Sequence, residues 1–236
     1  MNILFLLLAI ALFIALVLKN VPIVISTIVS SAMPDALARD WGFEMRRVLT
    51  GFKYIGDQID QLKNAGEEDR FLMGFEESYG YLVGTHARDK DAIVATMLCV
   101  EMASYYAQKG MDLYEAMDAL YKKYGYYLNG TVNASFPGES GAQKMAGIMS
   151  GLRENPPKDF GGDAVVKVVD YKKPEETGLP AANVLIYTLA SGCTVVVRPS
   201  GTEPKIKTYF TTKGKDLAEA EAKKEELAAA VKPLLA

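Results

Sequence analysis

The residues best suited to chemistry in this sequence lie in one loop, residues 197–205, with the sequence VRPSGTEPK. Arg198 and Lys205 bring positive charge, and a guanidinium can bind an oxyanion through two parallel N–H groups. Between them lie hydroxyl groups and backbone amides that can form an anion-binding nest, at Ser200, Gly201 and Thr202. These residue types indicate a phosphate-binding loop. A strand-connecting turn with scattered charges explains the same residues, and the loop alone does not decide between the two interpretations.

Two strand-like runs flank this loop, at residues 193–197 and 206–211. The first is almost wholly apolar, and the second alternates apolar and polar residues, as a half-buried strand does. Because proline and glycine disrupt strand pairing, we expect the backbone to leave the sheet between the runs, at Pro199, Gly201 and Pro204. The sequence thus predicts a loop mounted on two neighbouring strands.

A second group of reactive residues follows the apolar run at residues 71–75. A carboxylate can accept hydrogen bonds from sugar hydroxyls, and a serine hydroxyl can accept or donate, so Glu76 and Ser78 suit a polyol. Ligand sites in open α/β sheets lie beyond the carboxyl ends of strands. The turn that follows residues 43–49 lies at such an end as well, with Thr50, Gly51 and Lys53. A helix cap or a surface acidic pair is the alternative interpretation of the glutamates.

The first half of the chain alternates strand-like and helical runs with short joins. This alternation is typical of an α/β unit with a parallel sheet. We predict strands at residues 21–29, 43–49 and 71–75. We predict helices at 33–41, after the turn at 50–53 to about 65, at 91–110 and from 111.

After residue 128 the strand-like runs follow one another without helical crossovers, which favours an antiparallel sheet. We predict strands at residues 131–136, 164–171, 183–189, 193–197 and 206–211, and helices at 141–153 and 216–235. The prediction is therefore two domains: residues 1–130 form an α/β unit with a mixed or parallel sheet and helices. Residues 131–236 form an α+β domain with an antiparallel sheet flanked by helices.

The composition excludes several classes of protein. A net charge of −3 over 236 residues argues against a general nucleic-acid binder. Cys99 and Cys193 lie in apolar runs, so we expect no disulfide framework and a reducing, cytoplasmic compartment. One histidine and two cysteines cannot form a structural zinc site without carboxylates, and no zinc motif is present.

Residues 3–18 form an uninterrupted apolar run of 16 residues. As a helix the run would span about 24 Å, which is shorter than the ~30 Å hydrocarbon core of a bilayer. No basic residue precedes it, which argues against a secretory signal. A helix that is apolar on every face is buried in protein or in membrane, so a buried helix and a membrane anchor both stay open.

Four spaced motifs together resemble the α-D-phosphohexomutase superfamily, in its bacterial phosphoglucomutase/phosphomannomutase branch. They stand in the family's order and are LTGFKYIG (49–56), GFEESYGYLVGTHARDKDA (74–92), LYKKYGYY (120–127) and VRPSGTEPKIK (197–207). The resemblance covers nearly everything from residue 21 onward. It implies the third and fourth domains of a four-domain enzyme built around one cleft. Members of the family move a phosphoryl group between C1 and C6 of a hexose phosphate through a phosphoserine and a bisphosphorylated intermediate.

The resemblance also implies roles for individual residues. Glu76 and Ser78 would bind sugar hydroxyls, and Lys90 resembles the family's basic residue near the reacting phosphate. The residues implied in lining the cleft nearby are Thr50, Gly51 and Lys53. Those implied in holding the non-reacting phosphate are Arg198, Ser200, Gly201, Thr202 and Lys205.

Two elements of the family pattern are not found in this sequence. It contains no Ser-His-Asn-Pro-like stretch for the phosphoserine, and no Asp-x-Asp-x-Asp loop for Mg²⁺. We therefore expect no catalytic residue of its own and no metal site in this chain. We interpret it as the C-terminal half of a mutase: a fragment, a truncated product, or half of a split enzyme that another chain completes. Mg²⁺ and glucose 1,6-bisphosphate are expected for the full enzyme. The alternative is a non-catalytic module that binds a phosphosugar or docks on a partner, and glucose or mannose specificity stays open.

Overall fold

The structure, a computed structural model, describes residues 21–201 and 203–235. The chain divides into two compact units, the first ending at Tyr124 and the second beginning at Gly125. The apolar run at residues 3–18, with its two interpretations, lies outside the described residues. Among the residues described, no helix combines the length and apolar character that crossing a membrane requires.

The first unit is an α/β unit with a four-stranded sheet and four helices among its described residues. Its elements are β1 (Ile23–Thr27), α1 (Met33–Trp41), β2 (Glu44–Val48), α2 (Phe52–Asn64), β3 (Phe71–Phe75), β4 (Tyr81–Val83), α3 (Ala92–Gln108) and α4 (Leu113–Tyr124). The sheet order is β2-β1-β3-β4. Strands β1, β2 and β3 are parallel, and β4 runs antiparallel to β3. This confirms the predicted mixed or parallel sheet with helices.

The register of the parallel strands brings three loops to one edge of this sheet. Thr27 lies opposite Val48, and Ser26 lies opposite Phe75, so β1, β2 and β3 end side by side. All five residues of β1 are buried, including the polar Ser26 and Thr27. The loops that begin after residues 27, 48 and 75 therefore emerge together from a well-packed sheet, as the sequence predicted.

The second unit contains a six-stranded antiparallel sheet. Its elements are β5 (Tyr126–Ser135), α5 (Gly141–Glu154), β6 (Asp159–Phe160), β7 (Asp163–Asp170), α6 (Pro174–Thr177), β8 (Leu185–Leu189), β9 (Thr194–Pro199), β10 (Lys205–Gly214) and α7 (Leu217–Val231). The sheet order is β5-β10-β9-β8-β7-β6, and each pair of neighbours is antiparallel. The predicted α+β domain with a flanked antiparallel sheet is confirmed.

One face of this second sheet carries the hydrophobic core. Side chains of the central strands, among them Val197, Ile206 and Phe210, pack with Met149 of α5 and Leu227 of α7. The alternate residues of the same strands therefore face the other way, and most of them are polar. The core lies directly behind the strands that hold the loop at residues 197–205.

The start of β5 differs most from the sequence prediction. Strand β5 begins at Tyr126, five residues before the predicted start at 131, because its whole length pairs with β10 from Lys205 to Gly214. The second unit therefore begins at Gly125, whereas the sequence placed the division between residues 130 and 131.

Pro199 lies inside the sheet, opposite Ile206, and does not interrupt it as predicted. The amide of Ser200 donates to Lys205 O at 2.8 Å, so the nitrogen of Pro199 turns to the opposite side. On that side β8 has already ended, because its first residue, Leu185, lies opposite Val197. A residue without an N–H is tolerated there because no partner strand is left to accept from it.

Candidate functional site

In the first unit, the structure brings together Gly51, Glu76 and Lys90. Glu76 follows β3 directly and is 7% exposed. The Gly51 N–H donates a hydrogen bond to its carboxylate, and Lys90 Nζ lies 3.9 Å from Glu76 Oε2. Burial raises the pKa of Glu76, and the nearby ammonium group of Lys90 offsets part of that rise. A buried carboxylate with one donor and one cation is suited to accept a hydrogen bond from a ligand hydroxyl.

Gly80 makes the approach of Lys90 to Glu76 possible. A Cβ at position 80 would lie 2.5 Å from Lys90 Cδ and 3.1 Å from Glu76 Oε2. The turn between Glu76 and Gly80 is closed by the Glu76 N–H, which donates to Gly80 O at 2.9 Å. The lysine head also lies 3.0 Å from Asp89 Oδ1 and 5.1 Å from the centre of the Phe52 ring. The turn at residues 78–80 thus leaves room for the Lys90 ammonium group beside a buried carboxylate.

The two adjacent carboxylates after β3 do not act as a pair. Glu77 points toward the end of β1, where Thr27 Oγ1 donates to Glu77 Oε2 at 2.9 Å and Ser30 Oγ lies 3.5 Å from the same oxygen. Sequence reasoning missed Thr27 and Ser30. Their position at the end of a buried strand, at the same sheet edge as Glu76, could have identified them from the sequence.

The other predicted residues of this unit lie around the same edge. Ser78 and Lys53 are exposed, and Lys53 Nζ lies 4.8 Å from the centre of the Tyr54 ring. Thr50 Oγ1 is buried and has no hydrogen-bond partner among the described residues. Gly51 has φ of 126°, a conformation that side chains rarely adopt, at the start of α2. A glycine is therefore required where the amide turns toward Glu76.

We expect the stability of the first unit to depend on pH through Glu76. Its pKa in the folded chain is raised above 4.5, so the folded state keeps a proton that the unfolded chain releases. The resulting stability is complete below pH 4.5 and is lost as the pH rises through the folded pKa. Glu76→Gln removes this loss. The free energy of unfolding of the variant should therefore rise relative to that of wild type as the pH increases from 4 to 7. The probe is the fluorescence of Trp41, the chain's single tryptophan, during urea unfolding.

The control for this experiment is Glu101→Gln, which removes one carboxylate from the exposed surface of α3. A difference between Glu76→Gln and wild type that stays constant with pH, or that grows as the pH falls, would contradict the assignment of the pH effect to Glu76.

In the second unit, both ends of the loop at residues 197–205 are fixed by backbone hydrogen bonds. Ser200 N donates to Lys205 O at 2.8 Å, and Phe136 N of the neighbouring segment donates to Pro204 O at 2.7 Å. Gly201 is exposed, and a Cβ there would have no atom within 4 Å. Thr202 lies outside the described residues. The loop is thus short, anchored and open to solvent at its centre.

The cations of this loop differ in what surrounds them. Lys205 Nζ pairs with Glu203 Oε2 at 2.7 Å, and this hydrogen bond lowers the pKa of Glu203. Arg198 instead donates from Nη2 to Tyr209 Oη at 3.0 Å, and its Cζ lies 5.5 Å from the centre of the Tyr209 ring. Arg198 Nε is buried and has no hydrogen-bond partner among the described residues. No carboxylate of the described residues forms an ion pair with Arg198.

Lys207 is a further cation on this face that sequence reasoning missed. The antiparallel register places it opposite both Arg198 on β9 and Asn133 on β5, so the three share the face opposite the core. Within the part of the chain that the structure describes, Lys207 has no ion-pair partner either. The alternation of β10 could have identified it from the sequence, because Lys205, Lys207 and Tyr209 are two residues apart and therefore share a face.

The described residues do not fit a resident metal ion. They contain no group of three or more His, Cys, Asp or Glu side chains that could hold one. The side chains brought together in the two units are instead suited to bind polar and anionic groups. No step of a reaction is assigned to a metal held by the described residues.

Comparison with known proteins identifies both units. Residues 2–124 match the model for phosphoglucomutase/phosphomannomutase, alpha/beta/alpha domain III, and residues 163–230 match the model for the C-terminal domain of the same family. A phosphoglucomutase of Staphylococcus saprophyticus is 34% identical over 205 residues, and a probable phosphomannomutase of Haemophilus influenzae is 34% identical over 196 residues. Each alignment covers 83% of this chain and 37% of the relative.

A solved structure supports the fold. The open form of parafusin, a phosphoglucomutase from Paramecium, superposes with a TM-score of 0.68 and 21% sequence identity. The match covers 97% of this chain and 41% of that one. The family models and the relatives confirm the resemblance carried by the four motifs: this chain belongs to the phosphoglucomutase/phosphomannomutase family, of which it contains domain III and the C-terminal domain.

Proposed function

We propose that this chain is the substrate-recognition part of a phosphohexomutase, which binds a hexose phosphate while a phosphoryl group moves between C1 and C6. The observation that carries the proposal is the pair of cations on the outer face of the second sheet. Arg198 and Lys207 lie opposite each other beside an anchored loop, and neither forms an ion pair with a described residue. Glu203 interacts with Lys207 only at longer range, and positive charge that no direct ion pair neutralises favours a phosphate ligand.

The proposal assigns the non-reacting phosphate to the loop of the second unit. Arg198 would bind it with two N–H groups, and Lys205 would exchange its exposed partner Glu203 for the more highly charged phosphate. The hydroxyl groups and the backbone between these cations would complete the site, at Ser200, Gly201 and Thr202. Because the ends of the loop are already fixed, binding costs little ordering of the backbone.

The proposal assigns the sugar to the carboxyl edge of the first sheet. Glu76 would accept from sugar hydroxyls, and the exposed Ser78 would donate or accept at the same turn. Lys90 would lie near the reacting phosphate, since its side chain is half-exposed and its contact with Glu76 is long, at 3.9 Å. The residues that would line the sugar site nearby are Thr50, Gly51 and Lys53.

The bond-breaking groups of this reaction are assigned to parts of the mutase that are not within this sequence. The sequence has no Ser-His-Asn-Pro-like stretch and no Asp-x-Asp-x-Asp loop, and the described residues hold no metal-binding cluster. The phosphoserine and Mg²⁺ would come from the first and second domains of the family. Glucose 1,6-bisphosphate would be the intermediate of the completed enzyme.

The same observation on metal-binding residues favours one alternative, a non-catalytic module that binds a phosphosugar. Both functions use the same loops, so they share the binding step and differ only in whether the first and second domains of the family add catalysis.

We expect the purified chain to bind glucose 6-phosphate more tightly than inorganic phosphate or glucose, and to form no glucose 6-phosphate from glucose 1-phosphate with Mg²⁺ and glucose 1,6-bisphosphate. Calorimetry measures the binding, and a coupled assay measures the turnover. Sustained turnover would contradict the placement of the catalytic groups outside this sequence. Equal affinity for the phosphosugar and inorganic phosphate would contradict the sugar site, and no binding of either would contradict the proposed function.

A further inference from the structure

Tyr209 contacts Arg198 in two ways at once. Its hydroxyl oxygen accepts from Arg198 Nη2 at 3.0 Å, and its ring centre lies 5.5 Å from the guanidinium carbon. Tyr209 is the neighbour of Lys207 on the same face of β10, two residues further along, and it is opposite Val196 of β9. It is only 9% exposed although its register places it on the polar face. The ring is therefore a fixed support and not a mobile surface side chain.

The chemistry of a tyrosine makes this support different from an ion pair. A carboxylate would orient the guanidinium but would also cancel its charge, as Glu203 does for Lys205. A phenol is neutral below about pH 10, so its oxygen accepts the hydrogen bond without neutralising the cation. The ring face adds a weak attraction for the same cation. The described residues thus hold Arg198 on one side and leave its charge available on the other.

Orientation is valuable for Arg198 because a free arginine side chain samples many rotamers. Holding the planar guanidinium before the ligand arrives reduces the ordering that binding requires. The buried Arg198 Nε, which has no hydrogen-bond partner among the described residues, shows that the head group is enclosed at its base and not extended into solvent.

We propose that Tyr209 is a positioning residue, which orients the Arg198 guanidinium toward a phosphate ligand while leaving its positive charge uncompensated. This inference rests on the proposed phosphate-binding role of the loop. It predicts that the hydroxyl of Tyr209 matters for phosphate affinity although no phosphate oxygen needs to touch it.

The test uses the full chain with Tyr209→Phe, which keeps the ring and removes the hydroxyl. Affinity for glucose 6-phosphate and for inorganic phosphate should fall about fivefold, because the Arg198 side chain would then have to be ordered when the ligand binds. The arginine side-chain Nε–Hε signal of Arg198, assigned by its loss in Arg198→Lys, should broaden or shift in the ligand-free protein. A purely structural role for Tyr209 would lower stability without moving that signal.

Tyr127→Phe is a matched control. Tyr127 is also a buried tyrosine on this face, and Lys213 Nζ lies 5.1 Å from the centre of its ring. It lies far from the loop, at the other end of the β5–β10 pair, so its variant should bind phosphate as wild type does. Tyr209→Glu tests the role of neutrality: it should bind more weakly than Tyr209→Phe, because a carboxylate would cancel the charge of Arg198.

The outcomes separate this inference from the proposed function. If Arg198→Ala binds both ligands as wild type does, the proposed phosphate site is wrong. If Arg198→Ala loses binding while Tyr209→Phe keeps wild-type affinity and an unchanged Arg198 signal, the site stands and the positioning role is wrong. If Tyr209→Glu binds both ligands as tightly as Tyr209→Phe does, the requirement for a neutral partner of Arg198 is wrong.

Discussion

Arg198→Ala is expected to weaken binding of glucose 6-phosphate about 100-fold, the effect of losing two charge-assisted hydrogen bonds. Arg198, like Lys207, forms no ion pair with a described residue, and it lies where β9 leads into the anchored loop. Arg198→Lys keeps the charge but loses the planar guanidinium group. Its affinity for glucose 6-phosphate should therefore lie between those of wild type and Arg198→Ala, about tenfold below wild type. Calorimetry on the full chain measures all three affinities.

Lys213→Ala is the matched control for the loss of a cation. Lys213 lies on the same face of β10, six residues beyond Lys207, with its ammonium over the Tyr127 ring. Its removal should leave the affinity within about twofold of wild type, because exposed charges this far apart are largely screened. Equal losses in Arg198→Ala and Lys213→Ala would show a diffuse electrostatic attraction and would contradict a defined site.

Gly141→Ala is expected to destabilise the second unit by about 3 kcal/mol. Gly141 is the first residue of α5, and a Cβ there would lie 1.9 Å from the backbone oxygen of Phe136. The backbone cannot rotate away as a flexible side chain can, so the segment from Phe136 to Gly141 must shift. Phe136 N donates to Pro204 O of the loop, so the shift should also weaken phosphate binding.

Gly147→Ala in the same helix is the control. A Cβ at Gly147 would meet no atom within 4 Å. The free energy of unfolding of this variant should exceed that of wild type by up to about 1 kcal/mol, because alanine favours a helix interior more than glycine does. Exchange of the slowest amide protons of β9 measures the stability of the second unit in both variants. Equal stability of the two variants would contradict the steric role of Gly141.

The elements that the sequence predicted well are those whose signal is local. Strand β3 at Phe71–Phe75 is a short apolar run with a turn on each side, and its predicted bounds are those observed. Helix α1 begins with Pro34 in its first turn and ends before Gly42 in the left-handed conformation. Both contain their own start and stop signals, so no distant partner is needed to locate them.

The elements that the sequence did not predict depend on distant partners. Strand β4 has three residues and exists through its pairing with β3. The first five residues of β5 include Asn129 and Gly130, which do not favour a strand, yet they pair with residues of β10 that are 80 or more positions away. Pairing over such a distance leaves no local periodicity, so the sequence could not place the start of β5.

The candidate sites show the same division. The residue types of Glu76 and Arg198 indicate polar ligands from the sequence alone. The side chains that contact such groups are harder to predict: Tyr209 reaches Arg198 through strand register, and Thr27 reaches Glu77, the residue after Glu76, across the parallel sheet. Sequence reasoning thus finds groups that would touch a ligand more readily than the neighbours that hold them.

The pairing of Arg198 with Lys207 also constrains how this unit can diverge in evolution. Adding or deleting one residue in β10 before Lys207 would turn Lys207 and Tyr209 toward the core and Ile206 toward solvent, because alternate residues of a strand face opposite sides. The segment from Ser200 to Pro204 lies outside the paired strands and can change length without that reversal. Related proteins can therefore acquire different ligands by remodelling five residues, while the strands that hold the cations keep their length.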